Sequence, residues 1–122
     1  MPTTKVVLFR EDDGGVPILD WLDGLPPKGR VKCRARIERL REIGHELRRP
    51  EADYLRDGIY ELRTSLQGVQ YRMLYFFHGR IAAVVSHGIV KERTVSSREI
   101  DRAIERRTRF EGEPKRYTAE GF

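Results

Sequence analysis

The segment from Gly58 to Thr94, GIYELRTSLQGVQYRMLYFFHGRIAAVVSHGIVKERT, constrains the fold more than any other part of this chain. It is rich in β-branched and aromatic residues and is punctuated by Gln67-Gly68 and Gly79-Arg80, each a signal for a two-residue hairpin loop. The pattern predicts three consecutive antiparallel strands over about residues 59–66, 69–78 and 81–89. Counting out from the first loop pairs Leu66 with Val69, and therefore Arg63 with Arg72. Counting out from the second pairs His78 with Ile81, and therefore Arg72 with His87. Side chains alternate along a strand, so Glu61, Arg63, Arg72 and His87 are expected on one face of the sheet. Two arginines directly opposite one another destabilise a bare sheet. A polyanionic partner, such as a phosphate backbone, would relieve that repulsion.

The remainder supplies what covers this sheet. Lys5–Phe9 reads as a first strand and Glu11–Gly15 as a loop. Pro17 suits a first helical position, with a short helix ending near Gly24. Pro26-Pro27 starts a longer helix in which Cys33, Ile37, Leu40 and Ile43 recur at helical spacing, with Gly44 as its cap. Residues 45–58 read as a polar connection. Ser96 and Glu99 form a capping-box signature for a last helix through about Arg109, and residues 111–122 read as a loosely held polar tail behind a single domain over 1–110. Tyr60, Leu62, Tyr71, Met73, Tyr75, Phe77, Ala82 and Val84 are expected to face the helices. Leu74, Phe76, Ala83 and Val85 are expected to continue the charged face. The fold class is α+β, a small antiparallel sheet of about four strands packed by two to three helices.

Composition narrows the partners. A chain of 122 residues with a net charge of +5 and a pI near 9.7 favours something acidic. The charge concentrates in residues 28–49, where nine arginines and lysines face only Glu38, Glu42 and Glu46; a solvated helix face is the plain alternative. Cys33 is the only cysteine, so no intrachain disulfide forms and a reducing compartment is favoured. The apolar run Val6–Phe9 is too short for a signal peptide or membrane span, so a cytoplasmic location without membrane contact is expected. His45, His78 and His87 lack metal-ligand spacing, and no phosphate loop, nucleophile elbow or cysteine–histidine signature is present. No metal or cofactor is expected.

If RNA lay across the charged face, each group has a chemical part. Arg63 and Arg72 would grip the phosphate and stabilise the charge that develops on cleavage, a task suited to a planar fork of donors. Glu61 would take the proton of a ribose 2′-OH, and His87 would act as general acid or base near neutral pH. Lys91 and Arg93 would add phosphate contacts beyond the third strand. Against this stand plainer readings: an Arg–Glu pair on an exposed sheet face, a satisfied core histidine, and a tyrosine–phenylalanine stripe that is simply core. Replacing Arg72 by alanine is expected to abolish activity and leave the fold intact.

The run Asp53 to Arg63, then Gly68, Tyr71-Arg72, Leu74–Phe77, His87-Gly88 and Lys91, resembles the phage-derived HigB-like toxins of the RelE superfamily. The likeness is most specific in YELR, YR.LYFF and HG..K. It implies a RelE-like, microbial-RNase-like fold and the toxin of a type II toxin–antitoxin pair: a ribosome-dependent mRNA endonuclease that enters the 30S A site and cuts by metal-free 2′-OH attack. A cognate antitoxin would silence it, the toxin alone being a monomer and the antitoxin complex an oligomer. On matched positions Arg72 carries the phosphate-stabilising role, and Lys91 falls near a basic residue used after the last strand. The basic helix, with Arg30, Arg34 and Arg41, would contact ribosomal RNA. Two departures stand out: Thr94–Ser97 lacks the tyrosine that many RelE toxins use, and Glu61 and Arg63 replace the lysines of RelE's second strand. The alternatives are a non-catalytic RNA- or ribosome-binding module, a ribonuclease acting on free RNA, and an inactive phage remnant.

Overall fold

A computed structural model describes residues 4–79, 82–90 and 93–120. The elements run β1 (Lys5–Phe9), α1 (Pro17–Asp23), α2 (Pro27–Ile43), a 3-10 turn (Gly44–Glu46), β2 (Ala52–Arg56), β3 (Ile59–Leu66), β4 (Val69–His78), β5 (Ala82–Val90), α3 (Ser97–Gly112) and β6 (Thr118–Ala119). The class is α+β. The sheet, however, has six strands in the order β2-β3-β4-β5-β1-β6, and it is mixed because β1 runs parallel to β5. The expectation of about four antiparallel strands was too small for two reasons. Residues 45–58 contain β2, and β6 returns antiparallel to β1.

Helices cover both sides. Ile18 and Leu22 of α1 and Cys33, Ile37 and Leu40 of α2 pack on Val6, Leu8, Leu62, Tyr71, Met73, Tyr75, Ala83 and Val85. On the opposite side Ile100, Ala103 and Phe110 of α3 pack on Val7, Phe9, Ile59, Leu74, Phe76, Val84 and Ile89. Burial pushes the Cys33 thiol up to about 12, so it packs as a small apolar group.

Two hairpins have the turn geometry their sequences demand. Asp57 and Gly58 have φ of 52° and 81°, and Gln67 and Gly68 have 51° and 82°. Positive φ at both central residues defines the type I′ loop that matches strand twist, and glycine at the second position bears it without strain. The second loop sets the pairs Leu66↔Val69 and Arg63↔Arg72, as counted.

The third hairpin differs from its expected register. His78 pairs with Ala82, where Ile81 was expected. Ala82 and Val84 therefore turn toward α3, while Ala83 and Val85 face α1 and α2, the reverse of expectation. The register then shifts between Leu74 and Tyr75: Tyr75 pairs with Val85 and Leu74 with His87, which leaves Ser86 as the extra residue of a bulge. Two one-residue errors cancel in parity but not in position. His87 returns to the charged face opposite Leu74, and Arg72 lies opposite Ile89.

The chain beyond 111 also departs from expectation. Helix α3 continues to Gly112, and Tyr117 is buried with its ring stacked 5.5 Å from Phe9. Arg109 and Arg116 lie over the Tyr117 ring, so residues up to Ala119 fasten onto the end of the sheet.

Candidate functional site

The charged sheet face divides at its middle. At one end β2, β3 and β4 form the floor of a cleft of about 350 Å³, walled by residues 93–95 and the start of α3. Five arginines line it: Arg49, Arg56, Arg63, Arg72 and Arg93, together with the carboxylates of Asp53 and Glu61. Each position follows from strand register. Asp53 pairs with Glu61, and Arg63 pairs with Arg72, so these four side chains occupy adjacent rows of one face.

Arg72 is the deepest cation, only 7% exposed. Its Nη1 donates to Glu61 Oε1 at 2.6 Å, while its Nε is buried and has no hydrogen-bond partner. A buried donor left without an acceptor costs about 1–3 kcal/mol, and such a group beside an open cleft is a place for an acceptor to arrive. Arg63, half-buried, stands opposite and forms no ion pair among the described residues; exposed Arg93 likewise. Arg49 is engaged with Asp53 at 2.7 Å, and this hydrogen bond, aided by the charge of Arg63, holds the Asp53 carboxyl below the usual carboxylate range. Arg56 is tied to Asp57 and Asp101, both at 2.8 Å. The cleft therefore keeps a surplus of guanidinium donors at Arg63, Arg72 and Arg93.

The other end of the face is closed. His87 is 5% exposed beneath α3, with Nε2 3.0 Å from Glu99 Oε1 and Nδ1 2.8 Å from Ser86 Oγ. Burial, reinforced by the charge of Arg106, pushes its pKa down to about 4. A neutral ring that donates from Nε2 and accepts at Nδ1 satisfies both contacts. His87 does not line the cleft, so the expected general acid near neutral pH is withdrawn from the site. Serine, histidine and glutamate here imitate a nucleophilic relay, but Ser86 is fully buried and also receives Arg106 Nη1 at 3.4 Å. The arrangement ties α3 to β5. It also explains half of the capping box: Ser96 Oγ accepts from Glu99 N–H, while the Glu99 carboxylate turns to His87 and Arg102.

Gly88, which follows, is set by packing. A Cβ there would lie 2.2 Å from the Trp21 ring, so only glycine lets α1 approach β5. The His-Gly pair of the sequence is thus structural on both faces.

The basic helix is less available than its charge suggested. Arg30 donates to the carbonyls of Leu22, Asp23 and Leu25 and so closes the end of α1. Arg36 and Arg39 hold Glu51, at 2.7 and 3.0 Å. Arg41 pairs with Glu38 at 3.6 Å, and Arg34 is exposed. Lys91 lies outside the described residues. Arg49, Asp53, Tyr54 and Arg56 were missed from the sequence because 45–58 read as a connection; Asp57-Gly58 after an alternating ADYLR run was the available signal. Among the described residues no cluster of histidine, cysteine or acidic side chains could hold a metal ion, and no helix is long and apolar enough to cross a membrane.

Residues 20–108 match the family described as Phage derived protein Gp49-like (DUF891), and the chain belongs to that family. The family is associated with toxin–antitoxin systems and related to RelE-type toxins. The match spans β2 to β5 and so contains the whole cleft. No curated protein matches the chain.

Proposed function

We propose that this protein is the toxin of a type II toxin–antitoxin pair and that it cleaves mRNA in the ribosomal 30S A site. The observation that carries the reading is Arg72, buried with an unpartnered Nε directly across from Arg63 at the floor of an open cleft. A phosphodiester seated there completes the missing hydrogen bond and offsets the repulsion between the two cations. The ribose 2′-oxygen attacks the adjacent phosphorus, the bond from phosphorus to the 5′-oxygen breaks, and the products are a 2′,3′-cyclic phosphate and a 5′-hydroxyl. Glu61 takes the 2′-OH proton, Arg63 and Arg72 stabilise the added negative charge, and the departing 5′-oxygen takes its proton from water. Arg93 and Lys91 add phosphate contacts, and Arg34 and Arg41 turn the basic face of α2 toward ribosomal RNA. A cognate antitoxin silences the site.

A second reading, a module that binds RNA or ribosomes without cutting, is favoured by one observation. With His87 buried, no histidine lines the cleft to protonate the leaving oxygen. Mapping mRNA 5′ ends after induction separates the two. Growth arrest with new ends inside translated frames is expected of the endonuclease; arrest with stalled ribosomes and no new ends would replace it by the binding module. Incubating purified protein with RNA in the absence of ribosomes shows whether cutting requires them.

A further inference from the structure

A second concavity of about 460 Å³ adjoins the arginine cleft, lined by Leu47, Arg48, Arg49, Asp53, Tyr54 and Tyr60. Arg49, Asp53 and Tyr54 line both, so the two spaces meet at the edge strand β2, with the Asp53 side chain on the cleft side and the Tyr54 ring on the Tyr60 side. Tyr54 is unusual among the aromatic residues of this sheet. It is 53% exposed, whereas Tyr71, Tyr75 and Phe76 are buried. An exposed tyrosine ordinarily keeps its hydroxyl in water and lays its ring on the protein. Here the hydroxyl accepts the backbone N–H of Gly58 at 3.0 Å, in the tight turn that ends its own hairpin. The ring is held a second time by Tyr60, 5.0 Å away at 69°, which itself stacks on Tyr75. What remains open to solvent is a fixed aromatic ring with arginines at its rim.

Taking the RNA reading of the arginine cleft as its basis, we infer that Tyr54 is a stacking platform for an unpaired nucleobase further along the strand whose phosphate the cleft holds. Single-stranded nucleic acid is generally held by the combination of a basic groove with aromatic side chains on which bases lie. Tyr54 pairs with Tyr60 on the sheet face opposite Glu61, Arg63 and Arg72, and β2 is the edge strand, so an RNA strand gripped by Arg63 and Arg72 reaches the ring by passing over the β2 edge beside Arg49. Pre-fixing the ring removes the entropy that a mobile side chain would lose on binding. The geometry therefore gives Tyr54 the base contact and the arginines the phosphate contact.

The test is equilibrium binding of two probes to the full chain: a single-stranded RNA oligomer, 2′-O-methylated so that it is not cut, and inorganic polyphosphate, which carries no bases. Tyr54→Leu keeps apolar bulk and removes the aromatic face; Tyr54→Phe keeps the face and removes the hydroxyl. With thermal melts confirming folded protein, Tyr54→Leu is expected to weaken RNA about tenfold and leave polyphosphate unchanged, while Tyr54→Phe retains RNA affinity. Unchanged RNA binding by Tyr54→Leu overturns the platform and leaves the phosphate cleft standing, as does equal weakening of both probes. A wild-type protein that binds neither probe overturns the RNA reading itself, and the platform with it.

Discussion

The two ends of the α3-facing side of the sheet carry similar residues and do opposite things with them. At the β5 end, His87, Ser86, Glu99 and Arg106 form a closed network in which each polar group faces another and none reaches a cleft. At the β2 end, Glu61, Arg63, Arg72 and Arg93 leave donors over, one of them buried and without an acceptor. Polar groups that satisfy one another hold a fold together, because separating them exposes a full desolvation cost. Polar groups left unsatisfied beside an opening are poised for a ligand. By this criterion the histidine is structural, and Arg72, although equally buried, is the group we propose to meet a ligand.

The sharpest way to break the comparison is to open the Arg72–Glu61 pair. Removing one member of a buried ion pair strands its partner's charge, typically at about 3–5 kcal/mol. Arg72→Ala is therefore expected to destabilise the protein as well as inactivate it, which corrects the expectation of an intact fold. The double variant Arg72→Met with Glu61→Gln is expected to recover most of that stability and none of the activity, measured by denaturant unfolding beside growth arrest. Recovery of arrest with stability would return Arg72 to a purely structural role.

The closed end responds to pH. The folded pKa of His87 near 4 lies below the ordinary 6.5. The unfolded state therefore binds the proton more readily, and stability falls as pH drops from about 6.5 to 4. The loss is on the order of 3 kcal/mol in total, about 1.4 kcal/mol per pKa unit. Ser86, Glu99, Arg102 and Arg106 surround the ring, and Arg106 adds to the penalty on its protonation. His87→Asn is expected to flatten that part of the pH–stability curve in urea melts. A slope unchanged in the variant would assign the effect to the carboxylates.

Smaller effects separate fold from binding. Arg30→Ala is expected to cost about 1 kcal/mol through the lost carbonyl contacts of α1 and to leave RNA binding unaltered. Arg63→Ala and Arg93→Ala are expected to stay within about 0.5 kcal/mol of wild-type stability. Each is nevertheless expected to reduce the salt dependence of RNA binding by about one counterion. A gel-shift titration across salt concentrations, set beside thermal melts, reads all three.

How much of this was legible depended on whether a signal was local. Gln67-Gly68 is a strong local turn signal, and it correctly set Arg63 against Arg72 and Glu61 beside them. Ser96 and Glu99 correctly placed the start of α3. Gly79-Arg80 misled because loop length is not encoded in a single glycine, and the bulge at Ser86 carries no composition signal at all. Strand β2 was hidden by its charge: Asp53 and Arg56 face the cleft, so the alternation that marks a half-buried strand looked like a polar connection. The parallel pairing of β1 with β5 and the return of β6 join residues far apart in the chain, beyond any local pattern. Burial of His87 likewise depends on where α3 lands, which is a tertiary fact.

One measurement tests the central claim directly: mapping mRNA 5′ ends in matched cultures expressing wild type, Arg63→Ala, the Arg72→Met/Glu61→Gln pair and His87→Asn, each confirmed folded. The open arginine cleft predicts new ends with wild type and with His87→Asn, and none or far fewer with the two cleft variants. Cutting that survives in both cleft variants but disappears in folded His87→Asn would contradict it and place the chemistry under α3.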